Sequence, residues 1–220
     1  MFVYMNFQLN RNAFTLELIR KIKSINCNDI ETIIFSNRGP VFSSGLDLRV
    51  FLQGVEEARR YLAELNDMAY KLLDCEANTV AYMAGDAYGF GVEFTYFMDY
   101  VAASRSDLIL SLQGIKLGVF PPYTYILAGI LGHEAVRLLL ARPIDAEEAR
   151  RIGLVHHIGG LDDALSRLFR APRHVFLYAK AHRRLVKDAL RLSDAALEEL
   201  ASLAGRKETV SLIKSFLEKR

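Results

Sequence analysis

The sequence predicts an α/β fold in which parallel strands are joined by helices. Short apolar runs alternate with helical patterns through the first two-thirds of the chain, and the last third is helical throughout. Parallel strands need crossover connections, and helices are the usual ones. With 220 residues, 51% of them hydrophobic, the chain is long enough to build one substantial core.

Four strands are predicted from compact runs that are rich in β-branched and aromatic residues. The first covers Thr32–Ser36 and ends at the turn sequence Asn37-Arg-Gly-Pro40. The other three cover Asn78–Ala84, Tyr100–Ser104 and Leu108–Leu112.

Helices are predicted from apolar spacing and from capping residues. Apolar residues recur with a helical period over Val55–Asp74, and a buried helix is expected over Gly91–Met98. Pro121-Pro122 suits a helix start, and Asp145 with Glu148 forms a capping pair. The helical tail is predicted to contain Pro172–Leu190, Asp194–Leu203 and Lys207–Lys219.

The charge pattern excludes several classes of partner. Charged residues make up 25% of the chain and the net charge is +2, which is not typical of a nucleic-acid-binding protein. Basic residues do concentrate between Lys180 and Lys187, where a solvated helix face is favoured over a patch that attracts an anionic ligand. No apolar run approaches the ~18 residues of a membrane span, and the start lacks signal-peptide features.

The two cysteines, Cys27 and Cys75, have no metal-ligand spacing. We expect both to be reduced thiols, as in a cytoplasmic protein. His156 and His157 also lack carboxylates or cysteines at metal spacing, so no metal site is predicted.

Two glycine-containing turns lie where strands give way to helices. One is Gly39–Leu48, after the first strand, and the other is Gly85–Glu93, after the second. If the two strands are parallel neighbours, both turns emerge at the carboxyl edge of the sheet, where α/β folds bind ligands. One backbone N–H from each turn could then converge on a single oxygen and form an oxyanion hole. For either turn taken alone, the better explanation is structural, namely that its glycines only allow a tight turn.

The second turn carries a carboxylate, Glu93, in the first turn of an apolar helix. A carboxylate is costly to bury for structure alone, so the stretch suggests a site that stabilises negative charge and moves a proton. It is not a dinucleotide-binding turn, because Phe94 stands where that fingerprint needs its third glycine.

Six stretches in order along the chain carry further information. They are Asn12-Ala13, Val41-Phe-Ser-Ser-Gly-Leu-Asp-Leu48, Ala87-Tyr-Gly-Phe-Gly-Val-Glu-Phe94 with Asp99, Lys116-Leu-Gly-Val-Phe-Pro121, Ile144-Asp-Ala-Glu-Glu-Ala-Arg-Arg-Ile-Gly-Leu-Val155 and Phe216-Leu-Glu-Lys-Arg220. Together they resemble the motifs of the crotonase superfamily, also called the enoyl-CoA hydratase/isomerase family.

The resemblance implies the crotonase (ClpP/crotonase-like) fold of repeated β-β-α units. A core over residues 1–170 would hold the acyl-CoA site, and a helical region over residues 171–220 would build a homotrimer or a dimer of trimers. The substrate would be a thioester of coenzyme A, with no other cofactor. No nucleic acid or membrane partner is expected, and the location would be cytoplasmic.

The resemblance also assigns the site residues. The oxyanion N–H groups would be those of Leu46 and Phe90, and Glu93 would be the general acid/base. Contacts with the substrate and its coenzyme A are expected from Ser44, Leu46, Asp47, Arg49, Gly89 and Phe90. Arg49 could pair with a phosphate or be a solvated helix-face charge. Phe90 replaces a usual glycine, so its ring must point away from the thioester or narrow the pocket.

One position departs from the hydratase pattern. The second glutamate of a hydratase would stand at Gly114, and a glycine cannot transfer a proton. The resemblance implies hydration of an enoyl-CoA as the reaction. A single acid/base residue, Glu93, is instead what Δ3-Δ2-enoyl-CoA isomerisation requires. A third alternative is a catalytically impaired acyl-CoA-binding protein. Four other side chains could line the cleft and substitute, although turn or packing roles are favoured for them. They are Asp86, Tyr88, Tyr123 and Tyr125.

Overall fold

The computed structural model describes residues 2–5, 11–27, 30–126, 132–168, 175, 180 and 184–219. Nine strands lie within these residues. They are β1 (Phe2–Met5), β2 (Thr32–Asn37), β3 (Val41–Ser43), β4 (Asn78–Met83), β5 (Asp86–Tyr88), β6 (Tyr100–Ala103), β7 (Ile109–Ser111), β8 (Ile144–Asp145) and β9 (His157–Ile158).

The same residues form ten α-helices and four short 3₁₀ segments. The helices are α1 (Leu16–Lys23), α2 (Val55–Asp74), α3 (Phe90–Glu93), α4 (Pro122–Ile126), α5 (His133–Ala141), α6 (Ala146–Arg151), α7 (Leu161–Leu168), α8 (Arg184–Leu190), α9 (Ser193–Ser202) and α10 (Lys207–Glu218). The 3₁₀ segments are Leu48–Leu52, Phe94–Phe97, Gln113–Leu117 and Leu203–Gly205.

The strands form two sheets. The first has the order β1-β2-β4-β6-β9 and is parallel throughout. The second has the order β3-β5-β7-β8, with β8 antiparallel to β7. Three times in succession the chain places one strand in the first sheet and the next in the second, and then continues into helical structure. The predicted α/β fold is confirmed, and β2 and β4 are the parallel neighbours that the argument for a shared sheet edge requires.

Helix α2 covers the residues that the sequence predicts for it. Its bounds are predictable because a helix of twenty residues with one apolar face leaves a clear pattern in the sequence. Glu56 and Glu57 in its first turn suit the positive end of the helix dipole. Both α1 and α9 pack on α2, and α10 packs on three of the 3₁₀ segments. The proposed division of the chain at residue 170 stays a prediction.

The prediction of reduced cysteines is wrong, because Cys27 and Cys75 form a disulfide with their Cα atoms 5.3 Å apart. Each cysteine follows the C-terminal end of a helix, α1 in one case and α2 in the other. These ends lie side by side, as the bond from Lys71 Nζ to the Lys23 carbonyl oxygen shows. A pairing set by helix packing is invisible in the spacing along the chain, and the cysteine argument for a reducing compartment no longer applies.

The helix predicted over Gly91–Met98 is shorter than expected. The α-helical part ends at Glu93, and the chain tightens into the 3₁₀ segment Phe94–Phe97. The Thr95 hydroxyl donates to the Val92 carbonyl oxygen at 2.7 Å, a local bond that competes with regular helix pairing.

The basic stretch near the end of the chain is not simply a solvated face. The side chains of Lys180 and Asp99 are 7% and 4% exposed, and their charged atoms lie 3.0 Å apart. Lys187 pairs with Asp74 nearer the surface. His182 and Arg183 lie outside the described residues. Within the described residues, no helix is both long enough and apolar enough to span a membrane.

Candidate active site

The two predicted turns meet backbone against backbone. Each contains a short strand of its own, β3 or β5, and these two strands are parallel neighbours in the second sheet. Gly45 has φ +93°, and a Cβ built on it would lie 3.0 Å from the Phe90 nitrogen. Gly89, which precedes Phe90, has φ +52°. The N–H groups of Leu46 and Phe90 therefore follow two glycines in direct contact. In the part of the chain that the structure describes, neither N–H has an acceptor.

The segment before α1 holds the first turn in place. The Ser44 N–H donates to the Arg11 carbonyl oxygen at 3.0 Å, and the Phe14 N–H donates to the Gly45 carbonyl oxygen at 2.8 Å. Arg11 and Asn12 both adopt left-handed backbone conformations, with φ +48° and +56°. Such conformations cost energy and persist only where the surrounding structure fixes them. Both residues lie next to the turn that carries Leu46.

Glu93 lies one helical turn beyond Phe90 and is 1% exposed. Its Oε1 accepts hydrogen bonds from the Thr124 N–H at 2.8 Å and from the Thr124 hydroxyl at 3.1 Å. Burial raises the pKa of Glu93 to about 8, and the donors on Thr124 oppose that rise. A carboxyl group with such a pKa can both give and take a proton near neutral pH.

These groups border one cavity of about 460 Å³. Its wall includes the predicted site residues Ser44, Leu46, Gly89, Phe90 and Glu93. The rest of the described wall is Arg11, Leu48, Tyr88, Leu112, Gln113, Gly114, Lys116, Leu117, Val119, Phe120, Pro121 and Phe216. Glu93 is the one carboxylate in this described wall, and Gly114, which also borders the cavity, supplies no acid.

A sequence model of the family described as enoyl-CoA hydratase/isomerase matches residues 5–220. The chain belongs to the enoyl-CoA hydratase/isomerase family. Its two sheets and their connections are the crotonase fold of that family.

Individual relatives are distant. A Thermus thermophilus protein, named as a candidate enoyl-CoA hydratase, is 29% identical over 239 aligned positions that cover 99% of this chain and 94% of the relative. The human mitochondrial enoyl-CoA hydratase domain-containing protein 3 is 29% identical over 160 positions, covering 67% of this chain and 52% of the relative.

Solved structures show the same fold. An enoyl-CoA hydratase from Bacillus halodurans superposes with a TM-score of 0.82 at 22% identity, covering 97% of this chain and 95% of the other. Human mitochondrial Δ3-Δ2-enoyl-CoA isomerase gives a TM-score of 0.81 at 20% identity, covering 94% and 89%.

The ring of Phe90 packs into the core. Phe90 is 2% exposed, and its ring centre lies 4.8 Å from that of Phe14 and 5.7 Å from that of Tyr123. The ring is therefore held among aromatic side chains, and Phe90 is also one of the residues that border the cavity.

Asp47 and Arg49 are bonded to each other rather than placed in the described cavity wall. The Arg49 Nε and Nη2 atoms lie 2.8 and 2.7 Å from the two carboxylate oxygens of Asp47. Asp47 also caps the 3₁₀ segment Leu48–Leu52. The pair lies beside the first turn, and a role in binding coenzyme A stays a prediction.

The possible substitutes for a second glutamate have structural partners. Tyr88 borders the cavity and donates to Asp86 Oδ2 at 3.0 Å, and Asp86 Oδ1 in turn accepts from the Ile109 N–H. Tyr123 donates to Asn66 in the interior, away from the described cavity wall. The side chain of Tyr125 lies outside the described residues.

Three residues of the site were missed in the sequence. Arg11 and Lys116 are exposed cations on the cavity wall. Lys116 lies inside a family-like motif, which was its only signal. Thr124 lies outside every motif, so no pattern marks it as the partner of Glu93. In the described part of the chain, no group of three His, Cys, Asp or Glu side chains is placed to hold a metal ion.

Proposed function

We propose that this protein acts on enoyl thioesters of coenzyme A and moves their double bond from the β,γ to the α,β position. The single observation that carries the proposal is that Glu93 is the one carboxylate in the described cavity wall, next to two unpaired backbone N–H groups. Moving a double bond needs one base that removes a proton and returns it elsewhere.

The thioester carbonyl oxygen accepts hydrogen bonds from the N–H groups of Leu46 and Phe90. Glu93, as the carboxylate, removes a proton from C2, and the C–H electron pair makes a dienolate whose negative oxygen the two donors stabilise. Glu93, now protonated, delivers the proton to C4, the carbonyl re-forms, and the double bond lies between C2 and C3. Each hole donor is typically worth about 3 kcal/mol of transition-state stabilisation.

Hydration is the second candidate, and the hydratase names of several relatives favour it. It requires activation of a water molecule and delivery of a proton to carbon, which two carboxylates usually share. With glycine at position 114, both tasks would fall on Glu93.

Recognition of coenzyme A is proposed to involve the two rim cations, Arg11 and Lys116. Both are exposed on the cavity wall, and neither takes part in an ion pair with another described residue. Coenzyme A carries phosphates that attract such charges.

The test follows the ultraviolet absorbance of the conjugated thioester with two substrates, a β,γ-enoyl-CoA and crotonyl-CoA. We expect conjugation of the β,γ-enoyl-CoA by the natural protein, no turnover by Glu93→Gln, and no hydration of crotonyl-CoA. Hydration of crotonyl-CoA without isomerisation would instead establish the second candidate. Binding of both thioesters without turnover would show an acyl-CoA-binding protein.

A further inference from the structure

The two oxygens of the Glu93 carboxyl group have different surroundings. Oε1 receives both donors of Thr124, the backbone N–H at 2.8 Å and the hydroxyl at 3.1 Å. Both hydrogen bonds that Thr124 donates go to Oε1 and neither goes to Oε2, and Glu93 borders the cavity. Because Thr124 is 0% exposed, water does not compete for its donors.

The direction of these hydrogen bonds is fixed by their chemistry. A backbone N–H can only donate, and a hydroxyl next to an ionised carboxylate donates to it. Once the Thr124 hydroxyl has given its hydrogen to Glu93, its oxygen accepts from the Tyr96 hydroxyl, which lies 3.1 Å away. The chain therefore runs from Tyr96 through Thr124 to Oε1 of Glu93.

We propose that Thr124 is a positioning residue that holds Oε1 as a hydrogen-bond acceptor and leaves Oε2 to exchange the proton with the substrate. Tyr96 orients the Thr124 hydroxyl for this task. The inference rests on the proposed function in one respect, since it takes Glu93 as the acid and base.

Because Glu93 is buried, the hydrogen-bond donors around it strongly affect its pKa. Among the described residues, the titratable side chains that interact with its charge include Tyr96 from the 3₁₀ segment Phe94–Phe97 and Tyr123 from α4. Burial raises the pKa of both tyrosines, so both stay neutral. Burial also raises the pKa of Glu93, and hydrogen bonds from Thr124 and from the Tyr123 backbone are what oppose it. Loss of the Thr124 hydroxyl should raise the pKa of Glu93 further.

The test compares Thr124→Val with Thr124→Ser and Tyr96→Phe in the full chain. Valine keeps the backbone donor and the approximate shape but removes the hydroxyl, whereas serine keeps both donors. The first readout is the titration of Glu93 by ¹³C NMR of labelled glutamate carboxyl groups, with Glu93→Gln identifying the resonance. The second is the pH profile of kcat/KM on a β,γ-enoyl-CoA.

We expect Thr124→Val to raise the NMR midpoint by about one pH unit and to lower kcat/KM at pH 7 about tenfold. Thr124→Ser should restore both values, and Tyr96→Phe should shift them in the same direction by less. A midpoint in Thr124→Val equal to that of the natural protein overturns the inference. If Thr124→Val fails to fold, an unshifted Tyr96→Phe overturns it instead.

The two proposals fail in different ways. A natural protein that shows no isomerisation defeats the proposed function, yet the NMR titration still decides whether Thr124 controls Glu93. An active natural protein whose variants all titrate alike defeats only the role of Thr124.

Discussion

Gly45 and Phe90 touch through their backbones, so that a Cβ on Gly45 would lie 3.0 Å from the Phe90 nitrogen. The same Cβ would lie 2.8 Å from the Tyr88 carbonyl oxygen, closer than real Cβ atoms approach. The close approach of the two turns, and with it the spacing of the Leu46 and Phe90 N–H groups, thus depends on the absence of a side chain at position 45.

Gly45→Ala should therefore lower kcat for the thioester reaction by about a hundredfold or more. The methyl group forces the two turns apart, and loss of one hole donor typically costs that much. The measurement is kcat at saturating substrate on folded protein.

The matched control is Gly39→Ala, since Gly39 has a similar φ of +87° but no atom within 4 Å of an added Cβ. Both variants place alanine in a left-handed conformation, at a cost of about 1–2 kcal/mol in stability. Equal loss of kcat in the two variants would contradict the role of the close contact.

The pKa of Glu93 predicts how stability changes with pH. Burial raises it from 4.5 to about 8, so the folded protein binds a proton that the unfolded chain has released over that interval. The contribution of Glu93 to stability is full below pH 4.5 and is lost as the pH rises through 8. Glu93→Gln should therefore be more stable than the natural protein at pH 9, by an amount on the order of 4 kcal/mol.

The measurement is urea unfolding at pH 5 and pH 9. Glu199→Gln serves as the control, because it makes the same substitution at an exposed position on α9. If the difference between Glu93→Gln and the natural protein stays constant between the two pH values, the carboxyl group is not shifted.

Reduction of the Cys27–Cys75 disulfide should lower the thermal midpoint while kcat at moderate temperature stays the same. The bond closes a loop with a sequence separation of 48 residues, for which chain entropy gives about 4 kcal/mol. Neither cysteine borders the described cavity wall. Two free thiols found in denatured, unreduced protein would contradict the bond.

We expect a rise in KM for a coenzyme A thioester of about threefold in Arg11→Ala and in Lys116→Ala. This rise should be smaller at high salt. The effect should fall on KM because both cations lie on the exposed rim of the cavity. A pantetheine thioester, which lacks the nucleotide phosphates, is the control substrate. An equal rise in KM for both substrates would show that the cations do not act through phosphate.

Several features of the fold were predictable from sequence because they depend on local patterns. The bounds of α2 follow from its apolar face, and the α/β class follows from alternating strands and helices. Strands β3 and β5 are only three residues each, too short for a pattern to mark, and were read as turns.

The site residues also fall into those that a local sequence pattern can predict and those that it cannot. Glu93 was identifiable because a carboxylate in an apolar helix is unusual. Its partner Thr124 was not, because their contact depends on how α4 packs against α3. The direction of the Phe90 ring was left open for a similar reason, since either orientation satisfies the sequence and only the aromatic neighbours decide.

Arg11 and Phe216 border the same cavity although they lie far apart in the sequence. A nascent chain therefore cannot complete this cavity until residue 216 has left the ribosome. Once formed, the cavity links two segments that are synthesised at well-separated times, so a ligand bound there would protect both from proteolysis together.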